Sequence, residues 1–130
     1  MKSDQVFQIR YTNNLPLVVM KVIDAGCNKS FAVDAHLDFA STMTIIPTSI
    51  AEEMNLSFAG SDQTVTGAGI IDMPYYEVSI EVFGDLYENM HVGCLELPDQ
   101  TPSKALLGRD ILDNYKVCLD GRAKTITVSC

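Results

Sequence analysis

The sequence predicts a mostly antiparallel β domain with one or two short helices. Three observations predict it. Turn signals recur along the chain, at Asn13-Asn14, Gly26-Cys27-Asn28, Gly60-Ser61-Asp62, Gly67-Ala68-Gly69, Gly84-Asp85, Pro98-Asp99 and Asp120-Gly121. Short apolar or alternating runs lie between them, as in all-β domains. Only two segments have helical character. The 130 residues suit a single domain, 1-130, long enough to bury a core without metal or disulfide staples.

The elements follow in order. The early apolar stretch from Leu15 to Val22 is broken by Pro16 and Lys21. Phe31, Val33, Ala35 and Leu37 alternate with Ala32, Asp34, His36 and Asp38, which makes a half-buried strand. After Pro47, Thr48 to Met54 reads as a helix, with Thr48 as its cap and Glu52 and Glu53 near the positive end of its dipole. Ile50 and Met54 form an apolar i, i+4 pair on it. Tyr76, Val78, Ile80 and Val82 alternate with Glu77, Ser79 and Glu81, a second half-buried strand. Arg109 to Asn114 reads as a second short helix. Thr125 to Val128 closes a final hairpin across Asp120-Gly121. Met20, Met43, Met54, Met73 and Met90 read as core filler. His36 and His91 lie in strands with no Ser or Cys constellation beside them, so they read as surface or satisfied histidines.

Composition narrows the function. The net charge of -8 argues against nucleic-acid binding, which needs clustered Lys and Arg. No apolar run approaches the roughly 18 residues of a membrane span, and Met1-Lys2-Ser3-Asp4-Gln5 opens no signal peptide. The expectation is a cytoplasmic protein without membrane association. The four cysteines, Cys27, Cys94, Cys118 and Cys130, form no Cys-x-x-Cys pair, and there are two histidines. No metal site and no cofactor is expected. The cysteines read as reduced thiols, with Cys94 and Cys118 in the core.

Three segments carry chemistry. Leu37-Asp38-Phe39-Ala40-Ser41-Thr42-Met43-Thr44-Ile45-Ile46-Pro47 runs an apolar strand into an acidic residue, a turn of mostly small residues and a second apolar strand. Thr64-Val65-Thr66-Gly67-Ala68-Gly69-Ile70 reads as a hairpin tip. Ala105-Leu106-Leu107-Gly108-Arg109-Asp110-Ile111-Leu112 reads as strand, glycine, arginine and helix. In this order they resemble the retropepsin-like aspartic proteases, across about residues 15 to 128. The resemblance implies an acid-protease-like half-barrel. It also implies that Asp38 is the catalytic residue, that Phe39, Ala40 and Ser41 support its loop, and that Thr66, Gly67, Ala68 and Gly69 form a flap over a peptide substrate. The resemblance further implies that Gly108 permits close passage of its strand beside the catalytic loop and that Arg109 is a structural anchor. Taken alone, the glycine-rich hairpin is also a plain turn. A phosphate-binding reading fails for want of the full spacing and the Lys-Ser/Thr pair. Asp24-Ala25-Gly26 also spells Asp-x-Gly, but a turn follows it where an apolar strand is needed, so Asp38 is preferred.

Aspartic proteolysis needs two carboxylates sharing one proton around a water, one acting as base and one polarising the scissile carbonyl. This chain has one such motif, so the resemblance implies a homodimer with one Asp38 from each subunit. Gln5-Tyr11 and Ile126-Cys130 are expected to add strands to that interface. The family writes Asp-Thr-Gly or Asp-Ser-Gly where this chain has Asp38-Phe39-Ala40. Phe39 cannot make the hydroxyl bond that locks the loops across the family's interface, whereas Ser41 can bond the Asp38 carboxylate. Two functions stay open: a homodimeric aspartic endopeptidase acting on peptide or protein substrates, or an inactive domain kept for peptide binding or dimerisation.

Overall fold

A computed structural model describes residues 5–24, 26, 29–67, 69–96 and 105–130. Cys27 and Asn28, the expected Pro98-Asp99 turn, and Ala68 of the glycine-rich hairpin lie outside these residues. The elements are β1 (Val6–Arg10), β2 (Leu17–Asp24), β3 (Lys29–Leu37), β4 (Ile45–Ile46), α1 (Thr48–Met54), β5 (Ser57–Thr66), β6 (Gly69–Val82), β7 (Asp85–Cys94), β8 (Ala105–Leu107), α2 (Arg109–Leu112), β9 (Lys116–Asp120) and β10 (Thr125–Ser129). The predicted mostly-β class with one or two short helices is the observed one, with two helices.

Seven strands form one sheet in the order β2-β3-β8-β4-β7-β6-β5, and an extra β2–β6 pairing closes it into a barrel. Closure follows from β6, the longest strand. Its second half pairs with β7 and, at Ser79 to Glu81, with Lys21 to Ile23 of β2. A register shift between Val78 and Ile80 bends the strand there, as bulges do. Ser79 is consequently buried, although simple alternation would place it outside.

The first half of β6 pairs with β5, and the pairs from Asp62↔Met73 to Thr66↔Gly69 have no third strand. At about 3.3 Å per residue, this two-stranded arm is on the order of 15 Å long. The β6–β7 hairpin has a two-residue loop with positive φ at both Phe83 (54°) and Gly84 (76°). That is the primed turn whose twist matches paired strands.

The core is filled by the inward set of each strand. Met20 and Val22 of β2, Val33, Ala35 and Leu37 of β3, Val78, Ile80 and Val82 of β6 and Leu107 of β8 are all buried. Ile50 and Met54 bury together beneath α1. Phe31, the outermost residue of the alternating β3 set, is exposed. Thr48 does not cap α1. The helix starts after Pro47, no side chain within the segment bonds its free N–H groups, and Glu96 Oε1 accepts from the Ser49 N–H at 2.8 Å instead. Glu52 and Glu53 therefore lie beyond the first turn. The second helix ends at Leu112, two residues earlier than expected.

The remaining strands form a separate sheet, β1-β10-β9. The two terminal segments thus pair with each other within one chain, from Val6↔Ser129 to Arg10↔Thr125. The β9–β10 turn is wider than Asp120-Gly121. Asp120 Oδ1 accepts from the N–H groups of Arg122 and Ala123, at 3.0 and 2.9 Å. Cys94 is buried as expected, but Cys118 is exposed. It lies on the edge strand β9, where Val117 alone is partly buried and packs against the core. Met43 and Met90 are only half-buried, unlike Met20, Met54 and Met73.

Candidate active site

Asp38 follows the last residue of β3. The site forms where the only two parallel strand pairs among the described residues meet. β8 runs parallel to β3, with Leu37 opposite Leu107, and β4 runs parallel to β7, with Ile45 opposite Gly93. β8 also pairs antiparallel with β4, Ile45 against Leu106. It therefore lies between the strands that enter and leave the Asp38 loop. The Asp38 N–H donates to the Leu107 carbonyl at 3.0 Å, which extends the ladder to the carboxylate-bearing residue itself.

The loop is a tight turn. The Ala40 N–H donates to Asp38 Oδ1 at 3.1 Å, and the Ser41 N–H donates to the Asp38 carbonyl at 3.3 Å. The other carboxylate oxygen, Oδ2, has no donor among the described residues. Asp38 is half-buried, while Phe39 and Ala40 are exposed. The Ser41 hydroxyl does not support the carboxylate. It donates to the Met43 carbonyl at 2.6 Å, so its proton is spent within the loop.

The second half of the loop is fixed by residues that local sequence patterns do not mark. Thr44 is fully buried. Its hydroxyl donates to Asp110 Oδ1 at 2.7 Å and accepts from the Gly108 N–H at 3.1 Å. Its own N–H donates to Asp110 Oδ2 at 2.9 Å. One carboxylate thus clamps both donors of one threonine, a charge-assisted arrangement. The Arg109 N–H donates to the Ser41 carbonyl at 2.8 Å. The anchoring side chain is therefore that of Asp110, whereas Arg109 contributes its backbone and leaves its side chain exposed. Gly108 packs against the loop so closely that a Cβ there would overlap the Met43 carbonyl carbon and oxygen and stand 2.9 Å from the Thr44 nitrogen.

Asp38, Phe39, Ala40, Ser41, Gly108 and Arg109 are thus brought together. Gly67 and Gly69 belong to the tip of the β5–β6 arm, where Val65 and Ile70 are opposite one another and 80% and 70% exposed. His36 is half-buried one strand-step from Asp38, its Nδ1 3.3 Å from the Leu37 carbonyl. His91 is exposed, opposite Glu77. Asp24 closes the end of β2 by accepting from the Gly26 N–H at 3.1 Å. Among the described residues, no group of three or more His, Cys, Asp or Glu is placed to hold a metal ion, and no helix is long and apolar enough to cross a membrane.

The same strand arrangement occurs in solved proteases. The EIAV protease, solved with the inhibitor HBY-793, superposes with a TM-score of 0.62 over 82% of this chain and 93% of its own, at 16% identity. The chain has a retropepsin-like fold. A retropepsin-like aspartic protease from Rickettsia conorii matches it at a TM-score of 0.58, covering 95% of this chain and 91% of its own at 14% identity. No protein-family model matches the chain, and no curated protein matches it in sequence. The retropepsin-like fold is therefore held by a sequence far from those of the proteases it resembles.

Proposed function

We propose that the protein is an aspartic-type endopeptidase that works as a homodimer, with Asp38 of each subunit flanking one water. The observation that carries this reading is the setting of Asp38. It stands half-open at the end of β3, with Oδ1 held by the Ala40 N–H and Oδ2 free of donors among the described residues. A carboxylate so placed can accept a proton from a water that approaches Oδ2. One chain supplies one such group, and a second must come from a second copy. A two-fold axis beside the loop brings like residues together. The β5–β6 arm is long enough to cover an extended peptide and exclude water from it. The solved proteases of this fold support the reading.

Each carboxylate has its task in the reaction. The ionised member of the pair takes a proton from the water as the oxygen attacks the peptide carbonyl. The protonated member donates to the carbonyl oxygen, and the proton is then passed to the departing amine. A pair sharing one proton gives a bell-shaped rate profile with its maximum at mildly acid pH. Phe39 and Ala40 bear on the packing around the pair rather than on the carboxylate itself, because the Ala40 N–H makes the supporting bond that a glycine N–H would make.

Incubation with a diverse peptide library, read by mass spectrometry across pH 3 to 8, tests the proposal. Wild-type protein is expected to cut peptide bonds, and Asp38→Asn is expected to cut none while keeping the native circular dichroism. Cleavage by Asp38→Asn at the wild-type rate would remove Asp38 from the mechanism. A dimeric wild type that cuts nothing would leave a peptide-binding or dimerisation module as the better reading.

A further inference from the structure

We propose that Phe39 is the apolar lock of the interface between two copies of this chain, with its ring buried against the Asp38 loop of the second copy. The inference rests on the dimeric endopeptidase reading and names the residue that holds that dimer together at its centre. Phe39 is 46% exposed. It joins no aromatic pair among the described residues, unlike Phe58 with Tyr76 and Phe83 with Tyr115. It is also the residue next to Asp38. Any two-fold axis that brings two Asp38 carboxylates to within about 3 Å of each other passes within one residue of both Phe39 positions. Both Phe39 residues then stand beside the axis, within reach of the second copy.

The polar side-chain alternatives in this turn are already used or absent. The Ser41 hydroxyl is committed to the Met43 carbonyl at 2.6 Å, Ala40 has no polar side-chain atom, and the Ala40 N–H is held by Asp38. Across residues 39 to 41, side-chain contact with a second copy therefore falls to the phenyl ring and the Ala40 methyl. Two rings desolvated beside the axis supply non-directional attraction. Such an interface tolerates small shifts of one copy against the other better than a pair of hydroxyl bonds does.

The chain has no tryptophan, so Phe39→Trp places a single indole reporter at the proposed lock. Its emission is followed from nanomolar to high micromolar protein while the mass is followed by analytical ultracentrifugation. A shift to shorter wavelength that tracks the monomer-to-dimer transition is expected. Phe39→Ala, made in the Asp38→Asn background to prevent self-cleavage, is expected to raise the dimer Kd by roughly tenfold or more, and Phe39→Leu by less. A dimer whose indole emission does not change with assembly, and whose Kd is unmoved by Phe39→Ala, would overturn the lock and leave the endopeptidase reading standing. A strict monomer at every concentration, for wild type and variants alike, would overturn both.

Discussion

Replacing Thr44 by Val tests the clamp that fixes the Asp38 loop. The two side chains have nearly the same shape, so the change removes one hydroxyl from a fully buried position and opens little cavity. Two interactions go with it. The hydroxyl donates to the Asp110 carboxylate at 2.7 Å, and hydrogen bonds to charged groups contribute about 1.5–3 kcal/mol. It also accepts from the Gly108 N–H at 3.1 Å, and a buried donor left without a partner costs about 1–3 kcal/mol. The Thr44 N–H still reaches Asp110 Oδ2, so part of the carboxylate's satisfaction survives. The expected loss is about 3–4 kcal/mol, equivalent to roughly 10 °C in melting temperature for a chain of this size. Urea unfolding should be measured at one fixed protein concentration, because dimerisation adds to apparent stability. The midpoint should fall with m unchanged. A double-mutant cycle with Asp110→Asn should show that the two losses are not additive. A Thr44→Val protein within about 0.5 kcal/mol of wild type would refute the clamp.

Gly108→Ala is expected to abolish stable folding, since the new methyl would overlap the Met43 backbone; a soluble variant with the wild-type melting temperature would contradict the close passage. Burial pushes the Cys94 thiol up from 9.0 to about 12, and burial followed by the Tyr87 hydroxyl bond pushes the Tyr115 phenol upward too. The unfolded chain loses the thiol proton above about pH 9 while the folded chain keeps it, so stability is unaffected below pH 9 and falls as pH rises from 9 towards 12. Urea midpoints across that range should fall less steeply in Cys94→Ala than in wild type; equal slopes would contradict the assignment.

The strands were legible from local pattern because alternation is local, whereas their closure into a barrel was implied only by the family resemblance. Val33, Ala35 and Leu37 in β3, or Val78, Ile80 and Val82 in β6, declare an inward face without reference to any other strand. Asp38 was singled out as a candidate because its strand and turn stand in order with the glycine-rich hairpin and the Leu-Gly-Arg segment, the order that carries the family resemblance. The clamp was not. Thr44 and Asp110 are 66 residues apart, and neither stands in a motif that names the other. A lone threonine beside Ile45-Ile46 was the available signal, because a polar group heading an apolar strand must find a partner. The role expected of Arg109 fell to the next residue for the same reason: only the fold decides which of two adjacent polar side chains turns inward. The Ser41 hydroxyl is taken instead by the Met43 carbonyl, an acceptor within its own turn. Ser79 departed from alternation where a bulge intervenes, and Cys118 is exposed because Val117 takes the inward position of that edge strand; both outcomes depend on which strands become neighbours.

The central claim is that two copies of this chain build one site from two Asp38 residues. An experimental structure of the assembled protein at mildly acid pH measures it directly, through the distance between the two carboxylates. The account predicts a symmetric dimer with nearest carboxylate oxygens about 3 Å apart. A dimer whose Asp38 carboxylates lie beyond about 6 Å, too far for one water to touch both, would contradict it.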